Sequence, residues 1–324
     1  MYHSFIFKFP AWIAVLLISI SLPAFAEKFT LVVLPDTQIA VRSKPEMTNS
    51  QMDWIVKNRT ALNIPFVISV GDVVDWDTPD HAQWITASRC YETLDWAGVP
   101  YAIAVGNHDT AAVQAGGSAA PGKVKENVRD TMQFNRFFPV SRFTAQRGRQ
   151  EDGKSDNAWY EFRAGGMDWL VLALELWARP EAVTWANSVV AAHPDHNVIV
   201  VTHAHLDAKG GIQPNNGGYG AQSPQAVFDQ LIKQHGNMLL VLSGHVGDSA
   251  YRTDPGVKGN TIYQILQCYQ NRDSGGGYLR LLDIDTVAGT INARMYSPFY
   301  DKSLEDGSTF TLENVKFVTP AAEP

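Results

Sequence analysis

Five short apolar runs in this chain end in the same way. FTLVVLP, residues 29 to 35, runs into Asp36-Thr37-Gln38; IPFVISV, 64 to 70, into GDVVD; VPYAIAV, 99 to 105, into GNHD; NVIVV, 197 to 201, into THAH; and MLLVLS, 238 to 243, into GHVG. Runs this short, β-branched and without helical spacing read as buried strands. SQMDWIVKNRTALN and HAQWITASRCYETLDWAG lie between the first three, with apolar residues at three- and four-residue intervals, as in amphipathic helices. Strand, helix and strand in succession require parallel pairing, which gathers the strand C-termini on one edge. The chain is thereby constrained to an α/β fold with its polar chemistry on that edge.

The edge collects Asp36, Gln38, Asp72, Asn107, His203 and His245. Taken singly, Asp72 reads equally well as a helix N-cap, Asn107 as a turn residue and His203 as a core histidine. Recurrence at five strand tips favours a shared role. A mixed oxygen and imidazole set suits borderline divalent cations, and a carboxylate such as Asp72 is able to bridge two of them. Two ions so placed polarise a phosphoryl oxygen and turn water into a hydroxide nucleophile.

DTQ, GDVVD, GNHD, TH and GH, in this order, resemble the motifs of the calcineurin-like metallophosphoesterases across roughly residues 29 to 250. The resemblance implies a four-layer α/β/β/α sandwich of two mixed sheets flanked by helices, around two divalent ions such as Mn, Fe or Zn. It makes Asp36 and Gln38 ligands of a first ion, Asp72 the bridge, and Asn107, His203 and His245 ligands of a second. His108 takes the part of general acid, oriented by an acidic neighbour for which Asp109 is placed, while Asp75 reads as a loop brace. The implied substrate is a phosphomonoester or phosphodiester. The alternative is a protein that binds a phosphorylated ligand without cleaving it.

Two departures bear on the first ion. Gln38 stands where the family commonly has histidine, and Gly247 stands where the last motif, GHxH, has its second histidine. The expected first site is oxygen-rich, weaker, and shifted toward harder ions such as Mn, Mg or Ca. Asp248 or His205 is an expected substitute ligand. Gly247, two residues past His245, should share its face in an extended tip.

Residues 110 to 157 read as a cap-like insertion whose Lys123, Lys125, Arg129, Arg136, Arg142, Arg147 and Arg149 are available to an anionic substrate. Glu175, Asn215 and Tyr219 are further cleft candidates. Residues 260 to 318 read as an antiparallel meander completing the second sheet, and 319 to 324 as a frayed tail. Cys90 and Cys268 have no CxxC partner and read as buried small hydrophobes.

MYHSFIFKFPAWIAVLLISISLPAFA, residues 1 to 26, reads as a secretory signal peptide cleaved after Ala26, giving a secreted or periplasmic protein without a stable membrane anchor. With a formal charge of -7 and no basic cluster, no nucleic-acid polymer is expected as partner. Residues 27 to 318 form the expected catalytic domain, and its partner is a phosphorylated small molecule or other phosphoester.

Overall fold

A computed structural model describes residues 1–3 and 28–320. The expected leader from residue 4 onward, its cleavage site, and the tail beyond 320 lie outside the described residues. Among the described residues the first elements are β1 (Phe29–Leu34), α1 (Gln38–Ser43), α2 (Pro45–Asn58), β2 (Val67–Ser69), α3 (Ala82–Trp96) and β3 (Tyr101–Ile103). Next come α4 (Val124–Asn127), α5 (Met132–Phe137), β4 (Gln146–Arg149), β5 (Ala158–Ala164), β6 (Met167–Leu174), α6 (Pro180–Ala192), β7 (His196–Thr202), α7 (Pro224–Gln230) and β8 (Met238–Ser243). The remainder is strand: β9 (Ser249–Pro255), β10 (Thr261–Gln267), β11 (Leu279–Asp285), β12 (Thr290–Ser297), β13 (Lys302–Ser303) and β14 (Phe310–Leu312).

Two mixed sheets result. The first has the order β13-β12-β11-β1-β2-β3, with β14 on β12, and the second the order β4-β5-β6-β7-β8-β10-β9. β1, β2 and β3 pair in parallel, as do β6, β7, β8 and β10, so both sheets present strand C-termini to one edge.

Side-chain alternation builds the layers. In β6, Trp169, Val171 and Ala173 enter the core between the sheets, while Leu170, Leu172 and Leu174 pack outward on Ala182, Val183 and Ala186 of α6. The first sheet is covered by α2 and α3 through Met52, Ile55, Ala87, Tyr91 and Leu94. The architecture is the expected four-layer sandwich.

Trp169 anchors the space between the sheets. It is fully buried, stacks on Phe162 at 5.9 Å, meets Phe29 edge-on at 5.4 Å, and donates its indole N–H to the Ala164 carbonyl at 3.0 Å. Trp169→Ala should cost roughly 3–5 kcal/mol of unfolding free energy. Urea denaturation checks this, and a loss below about 1 kcal/mol would show that the sheets close over the cavity.

The C-terminal meander is corrected by the register. β10 continues the second sheet, but parallel to β8, whereas β11 pairs antiparallel with β1 and carries β12 to β14 into the first sheet. Pairing partners are set by long-range burial, which an apolar run does not encode. The insertion is also more ordered than its composition suggests: it contains α4, α5 and β4, and β4 extends the second sheet beside β5.

Candidate metal centre

The site lies where the C-terminal edges of the two sheets meet. Asp36 follows β1, Asp72 follows β2 and Asn107 follows β3, while His203 and His245 follow β7 and β8. Hydrogen bonds stitch the two sheets at these tips. The His245 N–H donates to Asp36 Oδ2 at 2.9 Å, and the His203 ring donates through Nδ1 to the Val70 carbonyl at 2.9 Å. A Cβ on Gly244 would fall 2.0 Å from Asp36 Oδ1, so glycine before His245 makes room for the carboxylate.

Because a carbonyl only accepts, His203 carries its proton on Nδ1 and turns Nε2 inward. Nε2 meets Asp72 Oδ2 at 3.1 Å and His245 Nδ1 at 3.2 Å. The ligand atoms of Asp72, His203 and His245 all lie within 4.8 Å of one another, a three-ligand cluster fit for one metal ion. Asp72 and His245 hold left-handed backbone at φ 50° and 76°, a conformation costly outside glycine and tolerated at functional sites.

The buried carboxylates and imidazoles of the site perturb one another strongly. Burial, with Asp72 adding repulsion, pushes the Asp36 carboxyl up to about 7 despite the nearby His203. Burial also opposes charge on Asp72, but His203 and His108 outweigh it and hold Asp72 well below the usual carboxylate range. His203 is raised to about 10 because Asp72 and Asp36 overcome its own burial. Burial and the charge of His203 lower His245 to about 4, which leaves a neutral imidazole with a lone pair.

Among the described residues, the buried oxygens Asp36 Oδ1, Gln38 Oε1 and Asn107 Oδ1 find no hydrogen-bond partner. Gln38 gives its Nε2–H to Asp72 Oδ2 at 3.0 Å, which leaves its carbonyl oxygen as the free end. Orphaned buried acceptors are costly unless a cation or donor meets them. The donor set therefore fits divalent metal, with Asp36, Gln38 and Asn107 beside the three-ligand cluster.

Beside this set His108 is held by Asp75. Its Nδ1 lies 2.5 Å from the Asp75 carbonyl oxygen and 3.3 Å from Asp75 Oδ1, and Asp75 Oδ2 pairs with Arg42 Nε at 2.6 Å. The His108 N–H donates to Asp72 Oδ1 at 3.0 Å. Asp72 and Asp75 overcome the effect of burial and raise the His108 imidazole to about 9. The ring borders a cavity of about 200 Å³ that also meets Trp84, Thr110, Met132 and Gln133.

The calcineurin-like phosphoesterase family model matches residues 29–248, a span containing every ligand candidate above. The chain belongs to the calcineurin-like phosphoesterase family. It is 30% identical over 298 residues to the uncharacterized protein YvnB of Bacillus subtilis strain 168, covering 89% of this chain and 21% of YvnB. The chain thus spans about a fifth of that relative's length. A dimetal phosphatase from Danio rerio superposes with a TM-score of 0.51 at 14% identity, covering 88% of this chain and 98% of that one, a likeness of fold.

In this family member the acid that holds His108 is Asp75, not its sequence neighbour Asp109. The Asp109 carboxylate turns away and accepts the N–H groups of Val73 at 2.8 Å, Val74 at 3.3 Å and Gly106 at 2.9 Å. It clamps the GDVVD and GNHD turns together. The spacing of GDVVD was the available signal for Asp75, since a residue three beyond Asp72 in a turn returns toward the same loop.

The substitutes expected for the missing histidine are engaged elsewhere. Asp248 Oδ2 pairs with Arg272 at 2.8 Å, and buried His205 meets Gln264 Oε1 through Nε2 at 2.5 Å. Gly247 has φ 66°, and its Cβ would meet Ala208 Cβ at 2.8 Å, so a side chain there faces Ala208 rather than sharing a face with His245. The extended geometry expected for that tip is absent because the chain turns immediately after β8.

Six of the insertion's basic residues have partners in the fold. Arg129 donates to the Leu176 and Trp177 carbonyls and Arg142 to Asp95 and Ser88, while Lys123 pairs with Glu126 and Arg147 with Glu161. Arg136 reaches His81 and Arg149 reaches Gln146. Glu175 is buried against Arg179 and Asn157. Tyr219 packs on Trp177 at 5.3 Å, whose ring meets His245 edge-on at 5.7 Å, so Tyr219 lies one ring away from the cluster. Asn215 is exposed and accepts the Gly217 N–H.

Proposed function

We propose that this protein is a phosphoesterase that hydrolyses small phosphomonoesters or phosphodiesters at a pair of divalent ions, with His108 as general acid. The observation that carries this reading is the placement of His108. Asp75 occupies its Nδ1, so Nε2 is the nitrogen free to donate to a leaving oxygen, beside Asp72 and at the rim of a cavity. Asp36, Gln38 and Asp72 would hold a first ion, and Asp72, Asn107, His203 and His245 a second. Mn, Fe or Zn suits such a set. The ions, when bound, polarise the phosphoryl oxygens and acidify a water. The chain's own residues would orient the ester and deliver a proton, with the leaving group toward the cavity that His108 borders.

A panel of chromogenic mono- and diesters, tested with added Mn, Fe or Zn, checks the reading. Turnover should rise with metal loading. A fully loaded protein that binds phosphate but cleaves no ester would instead favour the phospho-ligand-binding alternative.

Asp75 acts through His108, which makes it a positioning residue. Asp75→Asn should lower kcat by roughly 10- to 100-fold, the usual cost of losing an orienting partner, with metal content unchanged. The basic limb of the pH–rate profile should move to lower pH, because the carboxylate that supports the protonated imidazole is gone. An unmoved limb would show Asp75 to be a brace only.

Export belongs to the same proposal. Mass spectrometry of the protein recovered outside the cytoplasm should show Glu27 as its first residue, and an intact Met1 would refute cleavage.

A further inference from the structure

The acid that steadies His108 is itself steadied by residues outside the five strand-tip motifs. Asp75 and Trp76 lie in the turn after β2, and three other segments grip that turn. From α3, Gln83 Oε1 accepts the N–H groups of Asp75 at 2.9 Å and Trp76 at 3.3 Å. From α1, Arg42 pairs through Nε with Asp75 Oδ2 at 2.6 Å, and its guanidinium lies 4.7 Å over the Trp76 ring. From the insertion, the turn at Gly117 packs on the same indole, since a Cβ on Gly117 would fall 3.6 Å from Trp76 Cζ3. Arg42 stands one helical turn beyond Gln38, so a single short helix serves both the proposed first ion and the partner of the acid.

A grip on the backbone alone leaves a carboxylate free to rotate. Gln83 fixes the Asp75 and Trp76 backbone, whereas Arg42 fixes Oδ2, which leaves Oδ1 turned to His108 Nδ1 at 3.3 Å. Exposed ion pairs contribute little. Here, however, the Asp75 side chain is 8% exposed against 40% for Arg42, so the carboxylate has little water and depends on the guanidinium. Arginine suits the place because its planar group pairs through an edge while its face stacks on Trp76; an ammonium offers no such plane. We propose that Arg42, seated on Trp76, is a positioning residue that locks the Asp75 carboxylate and through it the His108 ring. Its part in turnover rests on the phosphoesterase reading given above, while its hold on the ring is independent of that reading.

Arg42→Met and Arg42→Lys, each alone and combined with Asp75→Asn, test the assignment by proton NMR of the zinc-loaded protein and by kinetics. In the unaltered protein the His108 Nδ1 proton, held by Asp75, should give a downfield resonance that His108→Ala removes. Arg42→Met should lose that resonance to exchange with water and Arg42→Lys should keep it in part, with circular dichroism showing each variant folded. Arg42→Met should also lower kcat by roughly 10-fold, the lower end of what an orienting partner costs, with KM and metal content unchanged. The loss should be larger for an alkyl ester than for an ester of an acidic phenol. It should vanish once Asp75 is asparagine, because Arg42 acts only through that carboxylate. A resonance absent from the unaltered protein or unmoved by Arg42→Met, or a kinetic loss that persists undiminished beside Asp75→Asn, would overturn the role. A resonance that Arg42→Met abolishes, in a protein that turns over no ester, would overturn the phosphoesterase reading and leave the hold of Arg42 on the ring standing.

Discussion

Asp72→Asn should leave the fold intact and reduce turnover by about 10³-fold or more, with loss of bound metal. Asparagine matches the shape of aspartate and tolerates the left-handed backbone that Asp72 adopts at φ 50°, so the turn after β2 should survive. The charge is what disappears. Asp72 Oδ2 faces His203 Nε2 at 3.1 Å and accepts from Gln38, while Oδ1 accepts the His108 N–H, so one carboxylate touches both proposed ion positions and the acid. Its loss removes several kcal/mol of cation stabilisation, and each 1.36 kcal/mol is a factor of ten. Elemental analysis, circular dichroism and kcat on one preparation give the test. Retention of both ions with turnover within tenfold of the parent would remove Asp72 from the centre.

His108→Ala should lower kcat by roughly 10²- to 10⁴-fold while metal content stays unchanged, the range expected when a general acid is removed. Leaving-group dependence separates this role from simple phosphate binding. An ester of an acidic phenol departs without help and should lose little, whereas an alkyl ester needs the proton and should lose most. A deficit equal for both esters would make His108 a phosphate-binding group. Loss of metal on substitution would make it a ligand, against the engagement of its Nδ1 by Asp75.

Much of the site was legible from strand tips. A run such as FTLVVL ends in Asp36 because a buried strand must terminate before polar chemistry begins, and parallel pairing then brings successive ends to one edge. Asp36, Gln38, Asp72, Asn107, His203 and His245 converge there for that reason. The runs match β1, β7 and β8 to within a residue, since burial on both faces leaves an uninterrupted apolar signal, whereas β2 and β3 are three-residue strands inside the seven-residue runs 64–70 and 99–105.

The misreadings share another cause. Asp109 is covalently next to His108 yet clamps Val73, Val74 and Gly106, while Asp75, 33 residues before His108, meets that ring. Nothing local reveals that β10 lies parallel beside β8, two strands away in the chain and adjacent in space. Likewise no pattern within LRLLDID distinguishes pairing with β1 from pairing within the second sheet. The sequence by itself determined the periodicity, the strand ends and the kinds of ligand atom, because these depend on neighbours along the chain. Only the tertiary structure decided which acid holds His108 and which way Gly247 and Asp248 face, because side-chain direction past a turn is set by packing between segments distant in sequence.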